Sequence, residues 1–213
     1  MADLHAAVVL MQHRLKQDEA TLDEVKAWVG NGIDRLVHRA LTSSMHSDAE
    51  QSLFNTALKY FKDAYDKTNG EASTVYPGVR ETLEWLLSEQ IPLVCITNKA
   101  GRYSRPLLKR LDIDRYFALH LAGDDVAEKK PAPDALLQAA RHVGASTDRS
   151  IMIGDSLSDI KAARAAGFKM LSVSYGYNHG TSVHELGPKY PSHAIVDSFS
   201  EIVDVVYKLI KND

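Results

Sequence analysis

The residues best suited to chemistry lie in three short stretches. IMIGDSLSD carries Asp155 and Asp159, CITN carries Thr97 and Asn98, and EKKPAP carries Lys129 and Lys130 ahead of Pro131 and Pro133. An aspartate at the end of an apolar run, with another one helical turn on, can converge with it on a hard cation. Mg2+ accepts such oxygen ligands, usually one or two carboxylates with waters and a phosphate. Lysine adds a compact positive charge with three donors, and a threonine hydroxyl beside an amide can hold phosphoryl oxygens. Together these groups suit a magnesium ion and a phosphoryl group, whose reaction requires that oxygen charge be neutralised and the group held in line. Each also has a plain alternative: Asp155 as a helix cap, Asp159 and the lysines as solvated charges, Thr97 as a turn residue. Their order, with one item after each of several apolar runs, is more specific than any one of them.

Such groups act together only if the chain gathers them. From residue 76 onward, the short apolar runs PLVCIT, ALHLAG, SIMIGD, KMLSVS and HAIVD alternate with the helical patterns RYSRPLLKRL, PDALLQAARHV, LSDIKAARAAG and FSEIVDVVYKLI. This alternation predicts an α/β fold, a Rossmann-like parallel sheet with helices on both faces. Continuous apolar character fits strands buried on both sides. Ligands bind at the carboxyl ends of such strands. Thr97-Asn98, Asp124-Asp125 with the EKKPAP loop, Asp155, and Tyr175-Gly176-Tyr177-Asn178 are therefore expected to face one crevice. A helix is expected from Pro77.

Residues 1–74 follow a different pattern and predict helices only, so the expected division is a helical domain 1–74 and an α/β domain 75–213. Leu4, Val8, Met11 and Leu15 recur at helical spacing. Thr21 and Glu24 form a capping-box pattern, Gly30 and Gly32 are expected to end that helix, and Ser47 with Glu50 to cap the long one that Asn69-Gly70 stops. Two glycines around Asn31 would let backbone come close to a small ligand.

The bulk composition excludes several classes. The 213 residues are 45% hydrophobic and 25% charged, with a formal charge of −3, so nothing points to a nucleic-acid groove. No apolar run approaches the roughly 18 residues of a membrane span. The start has Asp3 and no basic leader, unlike a signal peptide. One cysteine, Cys95, lies in an apolar run and fits a buried residue in a reducing compartment. A cytoplasmic protein is expected.

These motifs resemble those of the haloacid dehalogenase superfamily. CITN resembles its second motif, ending in Thr97; KKPAP its third, with Lys130 as the phosphate-binding lysine; GDSLSD its fourth, with Asp155 and Asp159 as the metal-binding acids. GDSLSDIKAARAAG, SYGYNHG and WVGNGIDRLVHRAL are similar to bacterial phosphoglycolate phosphatases. The resemblance implies a Mg2+-dependent phosphomonoesterase that converts 2-phosphoglycolate to glycolate and phosphate. It also implies that the helical half is a cap over the core, with Gly30, Asn31, Thr97, Asn98 and Lys130 around the substrate and Lys130 and Thr97 aiding catalysis.

The sequence departs from the family at one point. The first motif, an aspartate nucleophile in Asp-x-Asp-Gly-Thr after an apolar run, is not found. The one Asp-x-Asp, Asp112-Ile113-Asp114, follows the amphipathic LLKRL. The chain is expected to begin at the first cap helix, to lack the core strand between CITN and SIMIGD, and to be inactive or crippled. The sheet would then close up, accept another segment, or await a strand from a longer chain. Two other readings are a non-catalytic Mg2+- and phosphate-binding remnant, and another small-phosphate-ester phosphatase or mutase. A phosphonate hydrolase would need an activated cap lysine. None of Lys16, Lys26, Lys59, Lys62 and Lys67 has the apolar setting that would lower its pKa.

Overall fold

Helical periodicity alone shapes the first 74 residues. In the computed structural model, which describes residues 1–30, 32–176 and 182–211, they form one compact unit, Met1–Thr74, and Val75–Asp213 forms another. The first unit holds α1 (Ala2–Leu15), α2 (Leu22–Trp28), α3 (Ile33–Thr42) and α4 (Gln51–Thr68). Its interior includes Val8, Met11, Val25, Val37 and Phe61, all fully buried. Each such side chain stabilises the fold by about 1.5–3 kcal/mol.

Local signals set the helix ends. Glu24 N–H donates to Thr21 Oγ1 at 3.2 Å, and Thr21 N–H donates back to Glu24 Oε2 at 2.7 Å, closing a capping box. Helix α4 is capped by Glu50 alone, through Ser52 N–H (2.9 Å) and Leu53 N–H (3.0 Å); Ser47, expected to share this task, bonds Ser44 instead. Helix α2 stops at Trp28, before the expected glycines, and Gly32, at φ 92°, is the N-cap of α3. Asp3 ties the two ends of the unit together. Its carboxylate accepts from Gly70 N–H (2.8 Å), Ala72 N–H (2.8 Å) and Ser73 Oγ–H (2.5 Å).

In the second unit each apolar run becomes a strand: β1 (Val94–Ile96), β2 (Leu119–Leu121), β3 (Ile151–Gly154), β4 (Lys169–Val173) and β5 (Ala194–Val196). Between and around them lie α5 (Val79–Ser88), α6 (Gly101–Arg110), α7 (Asp134–Val143), α8 (Leu157–Ala166), α9 (Val183–Leu186) and α10 (Glu201–Lys211). Helix α5 starts after Gly78, so Pro77 stands just outside it. Helix α9 spans four residues, too few for a periodic pattern.

All pairing is parallel, as in the expected α/β class, but the strands form two sheets. One is β1–β2, and the other is β3–β4–β5. Among the described residues no strand lies between β1 and β3, and these two do not pair. The two sheets are separate. Side chains join the halves instead. Ile96 of β1 packs both with Leu121, Ala135 and Ala139 and with the cluster of Leu136, Met152 and Ile160, so α7 covers the junction. Asp112, at φ 50°, lies where α6 ends and pairs with Arg115 at 2.7 Å. Helix α6 leaves the C-terminal end of β1 and returns the chain to the start of β2. The Asp-x-Asp pair is therefore at the opposite end of the strands from Thr97.

Candidate active site

The C-terminal end of β1 delivers Thr97 and Asn98. Thr97 N–H extends the β1–β2 ladder to Leu121 O (2.9 Å), which fixes its backbone. Its Oγ1 accepts from Lys99 N–H at 3.1 Å, a side-chain turn that leaves the hydroxyl proton to donate. Asn98 is exposed, and both ends of its carboxamide meet one peptide: Nδ2 donates to Lys130 O at 2.8 Å, and Oδ1 accepts from Lys130 N–H at 3.0 Å.

Lys130 turns inward, whereas Lys129 is exposed. The Lys130 ammonium donates to Ile96 O at 3.1 Å and to Asp159 Oδ1 at 2.7 Å; both side chains of this ion pair are buried. The lysine thus links the end of β1 to the first turn of α8, between strands that do not pair. It brings together the second, third and fourth sequence motifs.

Asp159 was expected to join Asp155 on a cation. In the structure its carboxylate is engaged by protein donors. Oδ1 accepts from Lys130, and Oδ2 accepts from Asp155 N–H (3.2 Å), Ser156 N–H (3.1 Å) and Ser156 Oγ–H (2.7 Å). Burial pushes this carboxyl up, but the Lys130 charge and these donors outweigh burial and hold it below the ordinary range. Gly154 makes room for it, since a Cβ there would lie 2.6 Å from the Asp159 Cβ. The pattern Ser156-x-x-Asp159 already carried this signal as a variant capping box. The helix cap is therefore Ser156, not Asp155.

Asp155 stands one residue past β3, with its side chain against Gly176, where any Cβ would overlap it. Tyr175 stacks obliquely on Tyr76 with ring centroids 4.8 Å apart. Burial, then Tyr76 and the charge of Asp155, push the Tyr175 hydroxyl up to about 12, so it stays protonated. Asp124 accepts from Gly101 N–H (2.7 Å) at the start of α6. Asp125 accepts from Ala122 N–H (2.8 Å) and from Arg105 at 2.7 and 2.6 Å, which holds its carboxyl low. These two acids brace the loop after β2. Burial pushes the Cys95 thiol up to about 11, which makes it a poor nucleophile.

In the helical unit, buried Arg39 donates to Trp28 O (2.6 Å) and Gly30 O (3.2 Å), fixing the approach to the glycine turn. Asn31, expected to touch substrate, lies outside the described residues, as do Tyr177 and Asn178.

The donor chemistry admits Mg2+ in a limited way. Among the described residues no cluster of three His, Cys, Asp or Glu side chains is placed to hold a metal. A magnesium ion needs only one or two carboxylates when waters and a phosphate complete its shell, and Asp155 at the β3 end fits the first of these.

No helix among the described residues is long and apolar enough to cross a membrane. Residues 4–173 match the family model of the haloacid dehalogenase-like hydrolases. The chain is 41% identical over 204 residues to a phosphoglycolate phosphatase of Nitrosococcus oceani, covering 96% of this chain and 89% of that protein. It is 42% identical over 187 residues to a phosphoglycolate phosphatase of Pseudomonas putida, covering 87% of this chain and 68% of that one. A crystal structure of a predicted phosphoglycolate phosphatase from Haemophilus somnus 129pt superposes with a TM-score of 0.85 at 28% identity, over 96% of this chain and 90% of that one. The match over most of its length, with three motifs gathered at the strand ends, shows that this chain belongs to the haloacid dehalogenase-like hydrolases.

Proposed function

We propose that the chain carries the phosphate- and metal-binding part of a Mg2+-dependent phosphomonoesterase for a small phosphorylated metabolite, with 2-phosphoglycolate as its substrate. The observation that carries this reading is the buried Lys130 ammonium at the strand ends, held between Ile96 O and Asp159 and beside Thr97. In this reading Lys130 and the Thr97 hydroxyl hold phosphoryl oxygens and offset their charge as it builds. Asp155 would hold Mg2+, which would supply further neutralisation of the phosphoryl oxygens. The substrate is taken from the names of the relatives at 41–42% identity. The helical unit is read as the cap, because Asp3 joins its first helix to residues 70–73, the geometry of a unit inserted into another. The single cysteine supports a cytoplasmic setting.

These 213 residues by themselves are proposed not to turn substrate over. Asp159 is occupied by four donors, Asp155 is assigned to the metal, and Asp112-Ile113-Asp114 is at the wrong end of the strands, so none of these aspartates is placed to attack phosphorus. The test compares phosphate release from 2-phosphoglycolate with Mg2+ by this chain and by a form extended at its N-terminus with an apolar strand ending in Asp-x-Asp-Gly-Thr. The short chain should match background, and the extended one should turn over and melt at a higher temperature. Robust turnover by the short chain, abolished at some other aspartate, would overturn this part of the reading.

A further inference from the structure

Asn98 stands next to Thr97, a place that invites the role of phosphate ligand. Its geometry fits a different task. A carboxamide carries the same donor and acceptor as a peptide group, and Asn98 uses both on the single peptide of Lys130, at 2.8 and 3.0 Å. The pair of bonds closes a ring like a short strand pairing. From that anchored peptide the lysine side chain runs inward to Ile96 O at 3.1 Å and Asp159 Oδ1 at 2.7 Å. Asn98 is itself held at its backbone. Gly123 lies so close to the Asn98 carbonyl that a Cβ there would overlap it, and Gly123 N–H donates to Lys99 O at 3.0 Å.

We propose that Asn98 is a positioning residue for Lys130: its carboxamide fixes the peptide from which the ammonium reaches the strand ends, and it is not itself a phosphate ligand. The physical reason is the length of the lysine chain. Four methylenes on a free loop would sample many positions, whereas an anchored Cα and two acceptors at the tip leave one. The catalytic meaning of this placement rests on the phosphatase reading, but the placement itself does not.

The experiment uses the 213-residue chain with Asn98→Ala, Asn98→Asp and Lys130→Ala. Amide hydrogen exchange at Lys130 is read first. Asn98→Ala should speed it about three- to tenfold, the ordinary net worth of one hydrogen bond. Asn98→Asp keeps an acceptor for that N–H but sets its second oxygen against Lys130 O, where Nδ2 now donates, and should not restore slow exchange. Affinity for inorganic phosphate with Mg2+, read by calorimetry, should fall less in Asn98→Ala than in Lys130→Ala. Unchanged Lys130 exchange in Asn98→Ala overturns the proposal, as does a phosphate loss in Asn98→Ala equal to that of Lys130→Ala. If the unsubstituted chain binds no phosphate, the phosphatase reading fails, and the exchange measurement alone decides the positioning role.

Discussion

The helical unit and the α/β unit each bury an aspartate, Asp3 and Asp159, and they surround it almost alike. Asp3 accepts from two peptide N–H groups and a serine hydroxyl, and so does Asp159. Asp159 alone also receives a lysine ammonium. At Asp3 the hydroxyl and the two amides, together with the N-terminal ammonium, hold the carboxyl below the ordinary range. At Asp159 the Lys130 charge is the largest of the contributions that offset burial. The lysine separates the two carboxylates: one is a latch within the helical unit, the other half of an ion pair at the strand ends.

Three measurements test the comparison. The largest effect is expected from Asp159→Ala, which leaves the Lys130 ammonium buried without its carboxylate. The loss should be about 3–5 kcal/mol in denaturant unfolding. Lys130→Ala should cost less, because Asp159 keeps three donors, whereas Asp159→Ala leaves the buried ammonium with Ile96 O. Equal losses would show that the lysine is needed for burial and would break the comparison. Next in size is Asp3→Ala, which strands two amides and a hydroxyl. About 1–3 kcal/mol is expected, read by the same unfolding curves.

The smallest effect is that of acid, because protonation keeps each side chain and its volume in place. Burial pushes both carboxyls up. At Asp3 the bonds from Ser73, Ala72 and Gly70 outweigh it, and at Asp159 the Lys130 charge and the donors do so; both stay below the ordinary carboxylate value. A depressed folded pKa contributes stability that is present above the unfolded value and lost as pH falls through the folded one. Melting temperature should therefore hold from pH 7 to about 5 and drop below about pH 4, near the unfolded carboxylate value. Asp3→Asn and Asp159→Asn should each make that drop shallower. A drop of unchanged steepness in both would assign the acid sensitivity to other groups.

Local signals in the chain carried much of this architecture. Thr21-x-x-Glu24 closed as a capping box because both partners lie within one turn. The runs around Val94, Leu119, Ile151, Met170 and Ile195 became strands because continuous apolar character bounded by turn residues leaves few other options. Helix α9 was not legible, since four residues show no period. The fate of Ser47 was not legible either, because Glu50 and Ser47 both suited the cap and only the loop path decided between them.

The order of residues determined which groups stand at strand ends: Thr97 after CI, Asp155 after IMIG, and Lys130 in a loop stiffened by Pro131 and Pro133. It did so because strand and helix periods are local properties of the chain. Only the tertiary structure decided what those groups meet. It split the strands into two sheets, since pairing depends on partners far away in sequence, and it brought Lys130 to Asp159, 29 residues on. It buried Asp159 instead of leaving it solvated, and it turned Asn98 onto the Lys130 peptide. A carboxylate or a carboxamide has the same donors and acceptors wherever it stands; the fold selects the partners, and the partners make it a ligand, a latch or a support.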